Sequence, residues 1–194
     1  MSDTVENKWD KIYSKKTDPI TPCELLASLD HLLPATGKAL DLACGRGGNA
    51  LHMAAKGLAV DAVDISSVGL ECLSQTAQAK GLDDRVKSLQ HDIIADPSLL
   101  VPEKYNVIVV SMFLHRPLSD ALVTALKPEG LLFYQTFHRD KLSSQGPSSD
   151  DFLLKPNELL SMFSPLRVVH YQEWVTEGDI KVGDRNCAWL VAKK

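Results

Sequence analysis

The stretch Ala39-Leu-Asp-Leu-Ala-Cys-Gly-Arg-Gly-Gly-Asn-Ala50 constrains this chain more than any other. A short apolar run with one acidic residue enters a glycine-rich turn, and a helical pattern begins at once. Gly45 and Gly47 have no Cβ, so the backbone there can turn tightly and approach a ligand closely. A helix opening near Gly48-Asn49 presents its first N–H groups and its positive dipole end to the same place. This is the pattern of a nucleotide-like cofactor loop. Gly45-Arg-Gly-Gly-Asn-Ala50 also satisfies the dinucleotide pattern G-x-G-x-x-G/A, so the glycines alone do not choose the cofactor.

Asp41 bears on that choice. A carboxylate just before the loop sits badly beside a pyrophosphate and well beside a cation such as the sulfonium and ammonium of S-adenosylmethionine (SAM). The simpler role for Asp41 is a hydrogen bond to the turn itself. Two further acids stand where strand-like runs end. Asp64 closes Val60-Asp-Ala-Val-Asp64, and a carboxylate there can accept hydrogen bonds from both hydroxyls of a ribose. Asp92 follows the run ending at Gln90. Three acids directed at one cleft favour a cationic guest over a phosphate-rich one.

Strand and helix patterns alternate along most of the chain. The spacing predicts strands over 38–43, 58–63, 85–90, 105–110 and 130–137. It predicts helices over 49–56, from Ser66 or Ser67 to Gly81, over 117–126 and over 157–163. The apolar run Tyr105-Asn-Val-Ile-Val-Val110 suits a strand buried on both faces of a parallel sheet. Runs 166–173 and 186–192 are joined by a polar loop too short for a crossover helix, which predicts an antiparallel pair. The fold class that follows is α/β, a Rossmann-like doubly wound sheet with a C-terminal antiparallel strand. We expect one domain over 1–194, with a helical cover over 1–34 and the cofactor-binding α/β core over 35–194.

Asp41-Leu-Ala-Cys-Gly-Arg-Gly47 resembles the first motif of class I SAM-dependent methyltransferases, Asp/Glu-x-Gly-x-Gly-x-Gly, departing from it at Ala43. With Val60-Asp-Ala-Val-Asp-Ile-Ser66 it is most similar to the tellurite-resistance type among small stand-alone members. The resemblance implies a seven-stranded sheet and SAM as cofactor. It implies that Ala43, Cys44, Gly45, Gly47 and Asn49 belong to the cofactor loop and that Asp64, Ile65 and Ser66 meet the ribose side. Asp92 would accept from the adenine amino group, with Ile93 packed on the ring. Ser111, Met112 and Phe113 would lie near the transferred methyl group, and they do not match the Asn/Asp-Pro-Pro-Tyr/Phe pattern of DNA-base amine methylation.

Trp9 and Tyr13, one helical turn apart, are expected to cover the cofactor. Candidate catalytic groups are His115 as general base, Arg116 as a bidentate clamp for an anionic acceptor, and Tyr13; His138 and Arg139 are further candidates for lining the acceptor pocket. No C-x-x-C or His/Cys clustering suggests a metal, and Cys23, Cys44, Cys72 and Cys187 read as reduced thiols of a cytoplasmic protein. The formal net charge of −4 offers no field for nucleic acid, and no apolar run approaches a membrane span. The expected activity is methyl transfer to a small molecule, with a soft sulfur, selenium or tellurium nucleophile as one acceptor class. A nicotinamide oxidoreductase, an RNA methyltransferase and a non-catalytic SAM-binding protein are the alternatives. The sequence does not give the oligomeric state.

Overall fold

The computed structural model describes residues 4–194. Five strands, β1 (Lys38–Leu42), β2 (Ala59–Asp64), β3 (Val86–Gln90), β4 (Tyr105–Ser111) and β5 (Leu126–Phe137), pair in parallel. Two more, β6 (Arg167–Gln172) and β7 (Cys187–Lys193), complete a sheet of order β3-β2-β1-β4-β5-β7-β6. Strand β7 is antiparallel to both β5 and β6. This is the expected doubly wound sheet, with the C-terminal antiparallel strand inserted between two neighbours.

Among the described residues six α-helices accompany the sheet: α1 (Val5–Tyr13), α2 (Glu24–Ser28), α3 (Gly48–Ala55), α4 (Ser67–Ala79), α5 (Ser119–Ala125) and α6 (Glu158–Met162). Each face of the sheet buries its own apolar layer. One layer joins Leu25, Leu26, Met53, Leu73 and Phe133, and the other joins Leu40, Ile108, Leu122, Tyr134 and Phe163. Val107, Ile108, Val109 and Val110 alternate between the two layers and are fully buried, as the unbroken apolarity of β4 requires. Among the described residues no helix is long and apolar enough to cross a membrane.

Two expected elements start or end elsewhere. The helix expected over 117–126 opens as a 3₁₀ turn at Arg116–Leu118 and becomes α-helical only at Ser119. Leu126 has already left it, pairing with Tyr105 in the sheet, and β5 then slips register before Leu131 pairs with Val107. The slip falls at Pro128-Glu129-Gly130, where Pro lacks a ladder donor and Glu129 takes a left-handed φ of 66°. The strand is therefore longer at its start than periodicity alone implies.

Candidate functional site

The carboxyl ends of β1, β2 and β4 converge on the glycine loop. Gly47 is the left-handed N-cap of α3, with φ 79°, and a Cβ there would come within 2.2 Å of the Leu73 side chain. Gly45, with φ 54°, leaves room for Tyr13, whose hydroxyl would lie 2.7 Å from a Cβ at that position. At these two positions the left-handed backbone and the packed side chains of Leu73 and Tyr13 both favour glycine. Ala43 also adopts a left-handed backbone, φ 55°, without being glycine. Releasing that strain, Ala43→Gly should raise the stability by about 1 kcal/mol in urea denaturation; a loss of stability would show that the Cβ packing outweighs the strain.

Asp64 is 6% exposed and lies at the mouth of the loop. Its Oδ2 accepts from the Gly45 amide at 2.7 Å and its Oδ1 from the Ser66 amide at 2.8 Å. Burial pushes its carboxyl above the usual range, although those amide bonds oppose the shift. Each oxygen keeps a lone pair for a further donor. Asp64 therefore fixes the loop and remains able to accept from a diol.

Asp41 is fully buried, and it makes the turn bond. It accepts from the Ala50 backbone amide at 2.9 Å and from the Asn49 side-chain Nδ2 at 3.4 Å, so it serves the first turn of α3 from beneath. Burial pushes its carboxyl up to about 7, with Asn49 and Ala50 opposing and Asp64 adding to the rise. An unfolded Asp ionises near 4, so between about pH 4 and 7 the folded protein retains a proton that the unfolded chain releases. Stability should accordingly fall as pH rises through that window, by up to about 1.4 kcal/mol per pH unit from this group. Denaturation of Asp41→Asn across the same window should lack that slope; an unchanged slope would assign it to another group.

Asp92 is exposed and holds a local turn, accepting from the amides of Ile94 and Ala95 at 3.0 and 3.1 Å. Ile93 is 6% exposed and packs into the layer with Leu40 and Val63, so its side chain belongs to the core. The apolar side chains beside the neighbouring groove are Val5 and Ile65, which line it with Thr4, Glu6, Gln90, His91 and Asp92. The three acids are thus spread out: one beneath the loop, one at its mouth and one at the β3 end.

The first helix lies over the loop. Trp9 and Tyr13 stack at 5.6 Å, and Asp10 accepts from Ser66 Oγ and, at 3.2 Å, from the Val68 amide. Ser66 in turn caps α4 by accepting from the Gly69 amide. Burial beside Asp64, Cys44 and Asp41 pushes the Tyr13 phenol well above its ordinary range. Tyr13 therefore stays protonated and is a poor base.

Two side chains tie α2 across the other half of the cleft. Asn49 Oδ1 accepts from the Cys23 amide at 2.9 Å, while its nitrogen donates to Ser111 Oγ at 3.0 Å. Gln135 Oε1 accepts from the Leu25 amide at 3.0 Å, and Gln135 also donates to Asp184, which receives Trp189 Nε1 at 3.0 Å. The first amides of α2 thus find partners on α3 and β5. Sequence reasoning missed Gln135, Asp184 and Asp10. The Gln135-Thr136 pair breaking an apolar strand was the one available signal.

At the end of β4, Met112 has a left-handed φ of 54° and stands 46% exposed, its sulfur 4.0 Å from that of Cys187. Phe113 packs against the core, with its carbonyl accepting from the Tyr134 hydroxyl. Cys44 is buried, and burial pushes its thiol up, which suits a filler. His115 is half-buried. Arg116 does not fit the expected anion clamp. Its guanidinium grips Glu158 at 2.6 and 3.0 Å and the carbonyls of Asp151 and Leu153 at 2.8 and 2.9 Å. It is a strut that holds the segment before α6 to the end of β4.

A seven-stranded α/β sheet with this strand order and a glycine loop after β1 is the class I methyltransferase fold. The model of the family described as tellurite resistance protein TehB matches residues 6–188, and the chain belongs to that family. The TehB structure from Haemophilus influenzae superposes with a TM-score of 0.71 at 21% identity, over 96% of this chain and 67% of that one. A structure described as "Conversion of a Disulfide Bond into a Thioacetal Group during Echinomycin Biosynthesis" gives 0.71 at 19% identity, over 98% and 92%. In sequence, the chain is 28% identical over 145 residues to a ubiquinone biosynthesis O-methyltransferase of Actinobacillus pleuropneumoniae serotype 5b (strain L20). That match takes in 64% of this chain and 62% of the relative.

Proposed function

We propose that this protein transfers a methyl group from SAM to a small-molecule acceptor by in-line displacement. The observation that carries the reading is Asp64, buried at the end of β2 and bonded to the Gly45 amide of the left-handed glycine turn. In this reading Gly45 and Gly47, with Ala43, Cys44 and Asn49 around them, hold the methionine part, and Asp64 and Ser66 meet the ribose. Ile65 and Asp92 border the adenine, Trp9 and Tyr13 cover the cofactor, and Ser111, Met112 and Phe113 flank the methyl group. The bound sulfonium supplies the driving force as leaving group. The protein's part is to align the acceptor and exclude water, worth roughly 7–11 kcal/mol for well-oriented partners.

A soft acceptor, such as a thiolate or a selenium or tellurium oxyanion, needs no base and fits a site in which Tyr13 is a poor base and the expected clamp is engaged. Tyr13 is held protonated and Arg116 is occupied by Glu158. The neighbour described for disulfide-to-thioacetal conversion supports chemistry at sulfur. The O-methyltransferase relative favours an oxygen acceptor instead, for which His115 is the candidate base.

Calorimetric titration with SAM, S-adenosylhomocysteine and NAD tests the cofactor; NAD heat without SAM heat would overturn the reading. Release of S-adenosylhomocysteine with thiols and selenite, against phenols, then tests the acceptor. Turnover with phenols alone, lost in His115→Ala, would replace the soft acceptor by oxygen.

A further inference from the structure

Helix α1 lies over the glycine loop, yet none of its residues is fully buried. Apolar packing therefore holds it weakly, because that stabilisation scales with the area removed from water. A polar contact fixes its place instead. Asp10 accepts from Ser66 Oγ, from the Val68 amide at 3.2 Å and from Ser67 Oγ at 3.5 Å. These groups open α4, whose N-cap is Ser66. A helix start offers unpaired amides and a positive dipole end, and a carboxylate there makes charge-assisted bonds. Ser66 Oγ takes the Gly69 amide, and Asp10 takes that of Val68 from 58 residues away in the chain. The α4 cap is thus completed by α1.

This contact closes a ring of bonds around the glycine loop. The Ser66 amide is held by Asp64 Oδ1, and Asp64 Oδ2 holds the Gly45 amide. Gly45 abuts Tyr13, which stands on the same helix as Asp10. Gly69 makes the second wall of that seat. A Cβ at Gly69 would lie 3.1 Å from Tyr13 Cδ2 and 2.8 Å from the Gly45 carbonyl oxygen. Glycine is a poor helix former, and here its missing side chain lets the Tyr13 ring settle against α4. The chain after α1 is pinned separately. Arg46 donates to the carbonyls of Lys16 and Asp18 at 3.3 and 2.9 Å and pairs with the Asp18 carboxylate at 2.7 Å. Nearer the start of α1, Gln90 donates to Glu6 at 2.8 Å, an exposed bond for which water competes. Asp10 is therefore the main polar tie of the helix itself.

We propose that Asp10 is a positioning residue for cofactor retention: it latches α1 to the α4 cap, holds Trp9 and Tyr13 over the bound cofactor, and governs how fast the cofactor and its demethylated product leave. The inference deepens the methyl-transfer reading and rests on it for the ligand. Asp10 acts through Ser66 and through its own helix. When the latch opens, α1 pivots about the Arg46 anchor and Tyr13 lifts from Gly45. Closing is linked to the ribose end of the site, because Ser66 bonds Asp10 through its hydroxyl and Asp64 through its amide. Whatever orders Ser66 for one partner orders it for the other.

Stopped-flow dissociation of S-adenosylhomocysteine, with hydrogen exchange of backbone amides in the ligand-free protein, tests the latch. Asp10→Ala should speed dissociation about ten-fold and leave the association rate near wild type. It should raise exchange in α1 about ten-fold while β1 and β4 keep their protection. Asp10→Asn keeps one acceptor oxygen and should fall between the two in both readings. A merely structural role would instead loosen β1 and β4 in step with α1. That pattern, or dissociation within two-fold of wild type, would overturn the proposal. Because α1 buries no residue fully, Asp10→Ala should fold; if it does not, Asp10→Asn decides by the same readings. If the wild-type protein binds no S-adenosylhomocysteine, the methyl-transfer reading falls, and α1 exchange in Asp10→Ala still decides whether the latch exists.

Discussion

Asp64→Ala is expected to lower the affinity for SAM by about 100-fold, roughly 3 kcal/mol. Two effects combine. The cofactor loses a charge-assisted acceptor for its ribose, and the amides of Gly45 and Ser66 lose the oxygens that orient them. The second effect acts on the loop itself, because Gly45 sits in a left-handed conformation and its amide, beside the Cys44 amide bonded to Val63, ties the loop to β2 through Asp64. Asp64→Asn keeps one carbonyl oxygen and should fall between the alanine variant and wild type. Calorimetric titration measures both, with thermal melting to show that the fold persists. A dissociation constant within two-fold of wild type for Asp64→Ala would remove this residue from the site.

Gly48→Ala should be the most damaging single methyl group in the chain. A Cβ there would lie 2.0 Å from the Thr21 carbonyl oxygen and 2.6 Å from its carbon. That is backbone, and it is pinned: Pro22 follows, and the amides of Cys23 and Leu25 are tied to Asn49 and Gln135. The segment can yield only by breaking those bonds, so a cost of about 3 kcal/mol is expected, at the upper end for overpacking. Gly81→Ala is the control. It also has a left-handed backbone, φ 64°, but nothing lies within 4 Å, so only backbone strain of about 1 kcal/mol should appear. Equal losses in chemical denaturation would mean that the segment before α2 is held less firmly than its bonds imply.

Much of the architecture was legible because its signals are local. The apolar run of β4, the glycine turn after β1 and the Ser66 cap of α4 are each written within a few neighbouring residues. The candidate site was legible only in part. Asp64 could be located from the end of its strand, but Arg116 could not be known as a strut, since Glu158 is 42 residues away. Asp41 had two plausible duties, and burial under α3 assigned the structural one. Ile93 was one position from an exposed residue, and the turn held by Asp92 directs it into the core.

The succession of strands and helices, the place of the glycine loop and its need for glycine follow from the sequence by itself, since backbone conformation and apolar periodicity act over short range. Only the tertiary structure decided which polar side chains are free to meet a ligand. Asn49, Gln135 and Arg116 are spoken for by partners brought near by folding, and Leu25 meets Gln135 across 110 residues of chain. A hydrogen bond depends on distance in space, and sequence spacing carries no record of it.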